Sequence, residues 1–177
     1  NKVRRVIRMV IWLIGMSGSG KTTLGRELYD HYKKSNQNMV FLDGDILREV
    51  WGDSLGHSIE ARRKNAHRIS HLSHMLDAQG VHVVAAVLSI FPEWQQWNRE
   101  NFSQYYEIYL DVPMEILERR DTKGLYGKAR NGEIKEVVGV DIPFPTPVAP
   151  NIILNDWSES STIDTTVDKL LSTIPSF

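Results

Sequence analysis

The most constraining feature of this chain is a glycine-rich segment, residues 15–22, that reads Gly-Met-Ser-Gly-Ser-Gly-Lys-Thr. Glycines at this spacing let the backbone curl around an anion with its N–H groups pointing inward. The lysine can reach the β- and γ-phosphates of a nucleotide, and the threonine hydroxyl can bind Mg²⁺. An apolar run, Val10–Ile14, precedes this phosphate loop and a helical pattern follows it, so the loop opens a helix whose N-terminus favours anions. A plain glycine-rich turn would not need the threonine. The predicted ATP-binding residues are Gly15, Ser17, Gly18, Ser19, Gly20, Lys21, Thr22 and Thr23.

Short apolar runs alternate with helical patterns along the rest of the chain. The predicted strands are Val10–Ile14, Met39–Leu42, Val81–Leu88, Tyr105–Leu110 and Ile152–Leu154. The predicted helices are Lys21–Ser35, Ile59–Gln79, Trp94–Phe102, Met114–Arg120 and Ile163–Ser172. This alternation predicts an α/β fold, a three-layer P-loop kinase sandwich with a mostly parallel sheet covered by helices on both faces. A length of 177 residues predicts a single domain over residues 1–177.

Two aspartates, Asp43 and Asp45, follow the second predicted strand, at the sheet edge where ligands of such folds bind. Phosphoryl transfer needs a cation on the nucleotide, a metal and a group that orients the attacking hydroxyl. We therefore predict Lys21, Asp43 and Asp45 as catalytic residues, with Thr22 and Asp43 at Mg²⁺. Which aspartate is the base stays open, although Asp45 lies further toward the acceptor. A solvated Asp-Gly turn is the alternative.

Overall composition limits the partners. The formal net charge is −1, there are no cysteines, and no apolar run approaches a membrane span. A small basic arm (Lys2, Arg4, Arg5 and Arg8) is interpreted as a solvated lead-in to the first strand. We expect a small-molecule acceptor and a cytoplasmic protein, with no membrane partner. We expect no nucleic-acid partner, because the charge is nearly balanced and no basic-aromatic stripe is present. A polynucleotide or other P-loop kinase and a non-catalytic nucleotide-binding module are the alternatives.

Three histidines, His67, His71 and His74, share one face of a predicted helix. No carboxylate lies at ligand spacing on the same turn, so we do not expect a zinc site there. Trp94 and Trp97 follow on the next predicted helix. Packing in the core or at its rim is the default interpretation of both rings.

An irregular stretch, residues 121–150, is longer than loops that only connect two secondary-structure elements usually are. It combines lysines and an arginine with four glycines and then four prolines. Its first part, residues 121–138, is called the lid segment here, because we predict a mobile cationic flap over polyphosphate. An irregular surface excursion is the alternative.

Together these residues resemble the adenylylsulfate (APS) kinase family. The matching positions are residues 15–22, 42–45 with Arg48, 55–58, Arg62, Asn65 and Ser89. The most specific match is residues 121–135, with Lys-Gly-Leu-Tyr at 123–126, followed by Gly139-Val140-Asp141. The resemblance covers roughly residues 10–156. It implies transfer of the ATP γ-phosphoryl group to the 3′-hydroxyl of adenylyl sulfate with Mg²⁺, by a homodimer with a mobile lid.

The resemblance also implies roles for individual residues. Arg120 and Arg130 would contact ATP from the lid. Ser89 occupies a position sometimes assigned a phosphoserine intermediate, which direct in-line transfer does not need. The implied acceptor contacts are Asp45, Arg48, His57, Arg62, Asn65, Leu88, Ser89, Lys123 and Val137.

The acceptor half departs from the family. Two phenylalanines that sandwich the adenine in the family are replaced here by His57 and Val137. Each lost aromatic partner removes stacking worth about 1–3 kcal/mol. This pattern resembles a branch of the family found with bacterial capsule genes, which phosphorylates the 3′-hydroxyl of a cytidine nucleotide carrying a 5′ phosphoramidate. The predicted acceptor is thus a nucleotide with an activated 5′ anhydride, adenylyl sulfate being the family default and the phosphoramidate nucleotide the alternative.

Overall fold

A computed structural model of the chain describes residues 8–52 and 56–177. The predictions for Lys2, Arg4, Arg5 and Leu55 fall outside the described residues. The strands are β1 (Val10–Ile14), β2 (Met39–Asp43), β3 (His82–Val87), β4 (Tyr105–Leu110) and β5 (Ile152–Leu154). The helices are α1 (Lys21–Lys33), α2 (Gly44–Trp51), α3 (Ile59–Ala78), α4 (Pro92–Asn101), α5 (Met114–Arg119), α6 (Leu125–Arg130) and α7 (Ile163–Thr173).

The five strands form one parallel sheet in the order β2-β3-β1-β4-β5. Every residue of β1 and β3 is buried, which explains their nearly continuous apolar sequences. Ile14 pairs with Val87 on one side and Tyr109 on the other, and Asp43 pairs with Ala86. The carboxyl ends of β1, β2 and β3 therefore meet at one edge, which is where the site lies. The predicted parallel α/β sandwich is confirmed.

Each face of the sheet carries its own core. On one face Leu13, Leu28 and Leu110 pack together with Leu170 of α7. On the other face Trp12 and Val83 of the sheet pack with Ile69 of α3. Alternate residues of β1 therefore point to opposite cores, so this strand is held on both sides directly before the phosphate loop.

Two helices were absent from the sequence prediction. The acidic turn continues into α2, because the Asp43 side chain accepts hydrogen bonds from the backbone N–H groups of Asp45 and Ile46 and so caps the helix. In the lid segment, Asp121 accepts bonds from the N–H groups of Leu125 and Tyr126 and starts α6. Both helices are short, and an aspartate at the N-cap of α2 or just before the start of α6 binds their first N–H groups, a local signal that is easily mistaken for a turn.

Within residues 8–52 and 56–177, none of the helices combines the length and the apolar character that crossing a bilayer requires.

Candidate active site

Glycine is required at three points of the phosphate loop. Gly18 and Gly20 have φ angles of 81° and 98°, in the left-handed region that other residues rarely adopt. A Cβ atom on Gly15 would lie 2.6 Å from the Ser19 Oγ. Gly20 is also the N-cap of α1, so the loop leads directly into the N-terminus of that helix. The local backbone therefore matches the phosphate cradle that the sequence predicted.

Lys21 folds back over its own loop. Its Nζ donates to the Met16 carbonyl oxygen at 2.9 Å and lies 3.5 Å from the Ser19 Oγ. Burial lowers the pKa of Lys21 to about 8, while the nearby Asp45 and Asp43 carboxylates act in the opposite direction. An anionic ligand in the loop would restore the charge of this ammonium group by adding further negative neighbours.

Thr22 and Asp43 are joined across the site. The Thr22 Oγ1 donates to the Asp43 Oδ2 at 2.6 Å, and the other Asp43 oxygen accepts from the Asp45 N–H at 2.9 Å. A hydroxyl and a carboxylate beside a phosphate loop are the hard oxygen ligands that Mg²⁺ prefers, directly or through water. The predicted metal pair thus fits the ion.

Asp45 differs from Asp43 in its exposure and its hydrogen bonding. It lies in the first turn of α2, is exposed, and its carboxylate makes no side-chain hydrogen bond to any residue that the structure describes. It borders a cleft between α2, α3 and the end of β3, which we call the cationic cleft. Residues that line this cleft include Asp45, Arg48, Arg62, Asn65, Leu88 and Ser89.

The cleft takes its charge from two arginines. The Arg48 Nη1 donates to the Gly56 carbonyl at 2.8 Å. The Arg62 Nε donates to the His57 carbonyl and its Nη2 to the Glu136 carbonyl, each at 2.8 Å. Because backbone carbonyls carry no formal charge, both guanidinium groups can still bind an anion.

Asn65 supports the cleft from within α3. It is buried, its Oδ1 accepts from the Trp51 Nε1 at 2.9 Å, and its Nδ2 lies 3.4 Å from the Gly44 carbonyl. This amide ties α3 to both ends of α2, and so fixes the helix that carries Asp45 and Arg48.

The two positions that replace the family's phenylalanines lie in different environments. His57 is exposed, but its ring is partly desolvated by its neighbours, and this desolvation together with the charges of Arg48 and Arg62 lowers the pKa of His57. The shift favours the neutral form of the imidazole. Val137 is only 4% exposed and packs in the core that contains Tyr126, and it does not line the cleft.

The lid segment is attached to the phosphate loop at Tyr126. This side chain is 1% exposed, and its hydroxyl donates to the Ser17 carbonyl at 2.6 Å.

The arginines predicted to contact ATP have other partners: Arg130 forms a 2.5 Å ion pair with Glu118, and the Arg120 guanidinium lies over the Trp157 ring at 5.4 Å. The remaining predicted lid contact, Lys123, is exposed. The structure thus brings Asp45, Arg48, Arg62, Asn65, Leu88 and Ser89 together, but not Arg120, Arg130 or Val137.

The histidines of α3 belong to an aromatic cluster. His67 and His71 stack at a centroid distance of 4.2 Å, and His71 stacks on Trp97 at 4.6 Å. Trp94 meets the His67 ring edge-on. Across residues 8–52 and 56–177, no group of three or more metal-binding side chains converges. These rings therefore join α3 to α4.

Sequence reasoning missed Gln95. This buried side chain of α4 contacts both the carbonyl and the hydroxyl oxygen of Ser89. A glutamine in a polar helical pattern gives no local signal of such a role, because the contact depends on how α4 packs against the end of β3.

A phosphate loop after the first strand of a parallel sheet, with a Thr–Asp pair beside it, is typical of P-loop nucleotide-binding proteins, the class to which P-loop kinases belong. A family model described as Adenylylsulphate kinase matches residues 7–155. A cytidine diphosphoramidate kinase of Campylobacter jejuni is 43% identical over 146 residues, covering 82% of this chain and 85% of that protein. An adenylyl-sulfate kinase of Picosynechococcus is 39% identical over 144 residues, covering 81% of each.

A solved structure gives the same result. The Mycobacterium tuberculosis APS kinase in complex with AMPPNP and APS superimposes with a TM-score of 0.81 at 31% identity, covering 94% of this chain and 96% of that one. This chain belongs to the adenylylsulphate kinase family, as the sequence motifs predicted. It is accordingly a phosphotransferase with an alcohol acceptor.

Proposed function

We propose that this protein transfers the γ-phosphoryl group of ATP to the 3′-hydroxyl of a nucleotide that carries an activated 5′ anhydride. The observation that carries the proposal is the position of Asp45. It is a carboxylate without a side-chain hydrogen bond to any described residue, set between a phosphate loop and the cationic cleft.

The phosphate loop and Asp43 supply the ATP side. The loop N–H groups and the Lys21 ammonium group would bind the β- and γ-phosphates and neutralise charge that develops between them. Thr22 and Asp43 would hold Mg²⁺, which supplies further charge neutralisation on the phosphates when it is bound. Their 2.6 Å contact supports this role, because one ion could reach both oxygens.

Asp45 is proposed as the base rather than Asp43. Both oxygens of Asp43 already accept hydrogen bonds, from Thr22 and from the backbone at the start of α2. Asp45 is free to take the proton of the 3′-hydroxyl. The hydroxyl oxygen then bonds to the γ-phosphorus, the bond from that phosphorus to the bridging oxygen breaks, and ADP leaves with the electron pair.

The 5′ anhydride is proposed to bind Arg48 and Arg62. Both guanidinium groups border the cleft and donate to neutral carbonyls, and among residues 8–52 and 56–177 neither forms an ion pair with a carboxylate. An anion of two linked acidic groups matches two such cations. The homodimer and the movable lid that the family resemblance implies stay predictions.

Between the two acceptors, we propose a cytidine nucleotide with a 5′ phosphoramidate rather than adenylyl sulfate. Adenine gains more from stacking than a pyrimidine does, because its face is larger. Here one stacking position holds the exposed imidazole of His57, and the other holds Val137, which is buried away from the cleft. A smaller base loses less at such a site.

A steady-state comparison tests the proposal. Purified protein, ATP and Mg²⁺ are combined in turn with cytidine diphosphoramidate, adenylyl sulfate, unmodified nucleosides and a 5′-hydroxyl oligonucleotide, and ADP release is measured. We expect the largest kcat/KM with the cytidine compound and product phosphorylated at the 3′ position. A large preference for adenylyl sulfate would refute the altered acceptor alone, whereas turnover with the oligonucleotide only would refute the whole proposal.

A further inference from the structure

The backbone at the end of β3 is strained at Ser89. Its φ angle is 54°, in the left-handed region that a serine rarely adopts. Within residues 8–52 and 56–177, Glu136 is the other non-glycine residue with a positive φ. Ser89 lines the cationic cleft, and such strain persists only where surrounding contacts hold it in place.

Gln95 makes two hydrogen bonds to Ser89. This residue lies on α4, is 3% exposed, and its Nε2 donates to the Ser89 carbonyl at 3.0 Å and to the Ser89 Oγ at 3.3 Å. The first bond acts on the backbone and the second on the side chain. Because the Ser89 Oγ accepts from Gln95, the hydroxyl proton of Ser89 remains available to donate into the cleft.

We propose that Gln95 is a positioning residue for the acceptor: it holds Ser89 in the left-handed conformation and directs the Ser89 hydroxyl proton toward the bound nucleotide. The role follows from the two hydrogen bonds, the strained φ angle and the place of Ser89 in the wall of the cleft. It rests on the proposed function, because the acceptor is taken to occupy this cleft.

The first test is Gln95→Ala. The substitution should raise the acceptor KM and lower kcat/KM for the acceptor by about tenfold or more, since a small displacement of a substrate-binding group is costly to rate. The KM for ATP should stay unchanged, because the phosphate loop does not touch Gln95. Asn98→Ala is the matched control: Asn98 is an equally buried amide on the same helix that does not line the cleft. It should leave the acceptor KM unchanged.

A double-variant series separates backbone strain from the hydroxyl contact. Ser89→Gly removes the strain, because glycine adopts positive φ freely, so in this background Gln95→Ala should change kcat/KM by less than about twofold. Ser89→Ala removes the hydroxyl but keeps the strain, so there Gln95→Ala should still cause most of its loss. Equal losses in the glycine and alanine backgrounds would overturn the backbone role.

A crystal structure of Gln95→Ala gives a readout that does not depend on the acceptor. We expect Ser89 to relax to a negative φ angle. A Ser89 that keeps its left-handed conformation without Gln95 would overturn the proposal even if the enzyme acts on neither nucleotide, whereas failure of the proposed function would show only in the turnover of the unaltered protein.

Discussion

The proposed ATP side and the proposed acceptor side of the site are built in different ways. The ATP side is eight consecutive residues, 15–22, with Asp43 beside them, and its shape is set by backbone N–H groups and glycine φ angles. The acceptor side gathers side chains from α2, α3 and the end of β3. A backbone cradle allows few substitutions, whereas side chains at a cleft can change one at a time. The first half should therefore vary little within this class of kinase, and the second half is where we propose that the substrate is selected.

The largest expected effect lies on the ATP side. Lys21→Ala should lower kcat by about 10³-fold, because it removes the cation that neutralises charge on the transferred phosphoryl group. The fold should be kept, since Lys21 donates only to its own loop. Turnover is measured as ADP release at saturating substrates, with circular dichroism as the check on folding.

Lys34→Ala is the control for that substitution. Lys34 is exposed and is the C-cap of α1. Its loss therefore removes a positive charge at the far end of that helix and leaves the phosphate loop unaltered. Near-normal turnover in the Lys21 variant would contradict the assignment of the phosphate loop as the reaction centre.

Asp45→Asn tests the proposed base, which lies between the ATP side and the acceptor side. Replacing the proposed base by an amide of equal size should lower kcat by about 10²-fold while both KM values stay within a few-fold. Glu49→Gln, an exposed residue one turn further along α2, is the matched control and should leave kcat unchanged. If Asp45→Asn turns over normally and Asp43→Asn does not, the two aspartates exchange roles.

The same contrast explains what could be predicted from sequence. The phosphate loop, the parallel sheet and the position of Asp43 follow from local spacing and from strand periodicity. The strand and helix boundaries that were predicted lie within two residues of those observed. Local information is sufficient there, because the loop motif and the strand periodicity are each read within a short window, and the parallel sheet then brings the carboxyl ends of β1 and β2 to one edge.

What sequence reasoning missed depends on distant contacts. Gln95 meets Ser89 only because α4 packs against the end of β3, and Tyr126 meets Ser17 across 109 positions of sequence. Matching by position placed Val137 in the acceptor site, yet its side chain packs in the core in this conformation. A motif shows which residue occupies a position, but it does not show whether the side chain points into the site or into the core.

His57→Phe sharpens the contrast on the acceptor side. A phenyl ring restores a stacking surface for adenine, so the ratio of kcat/KM for adenylyl sulfate to that for cytidine diphosphoramidate should rise by about 5- to 100-fold. His57→Leu separates stacking from apolar size and should change the ratio much less. Equal ratios in all three proteins would show that His57 does not face the base.

The pH dependence of ATP binding probes the ATP side alone. The pKa of Lys21 is lowered to about 8 in the free protein, so the lysine is charged below that pH and neutral above it. The Kd for ATP should therefore rise above about pH 8, by at most tenfold per pH unit. Calorimetric titrations from pH 6.5 to 9.5 measure this slope. Lys21→Arg should flatten it, because a guanidinium group stays charged across that range.

Tyr126→Phe is expected to have the smallest effect, yet it tests whether the two sides are independent. Burial raises the pKa of Tyr126 to about 12, with the Asp121 and Glu118 carboxylates adding to the effect, so the hydroxyl remains a hydrogen-bond donor to the Ser17 carbonyl at every practical pH. Losing this one bond should destabilise the fold by about 1 kcal/mol. It should also weaken ATP binding by about fivefold if the lid segment supports the phosphate loop.

Tyr29→Phe provides the comparison for that variant, because Tyr29 is a half-buried tyrosine of α1 whose hydroxyl makes no hydrogen bond to any residue that the structure describes. If both variants bind ATP as the unaltered protein does, the lid segment merely rests on the phosphate loop. If only Tyr126→Phe weakens ATP binding, and the acceptor KM rises with it, the lid segment connects the two sides. ATP in the loop would then help to set the geometry of the acceptor side. That side departs from the family pattern at His57 and Val137, whereas the phosphate loop keeps the family motif.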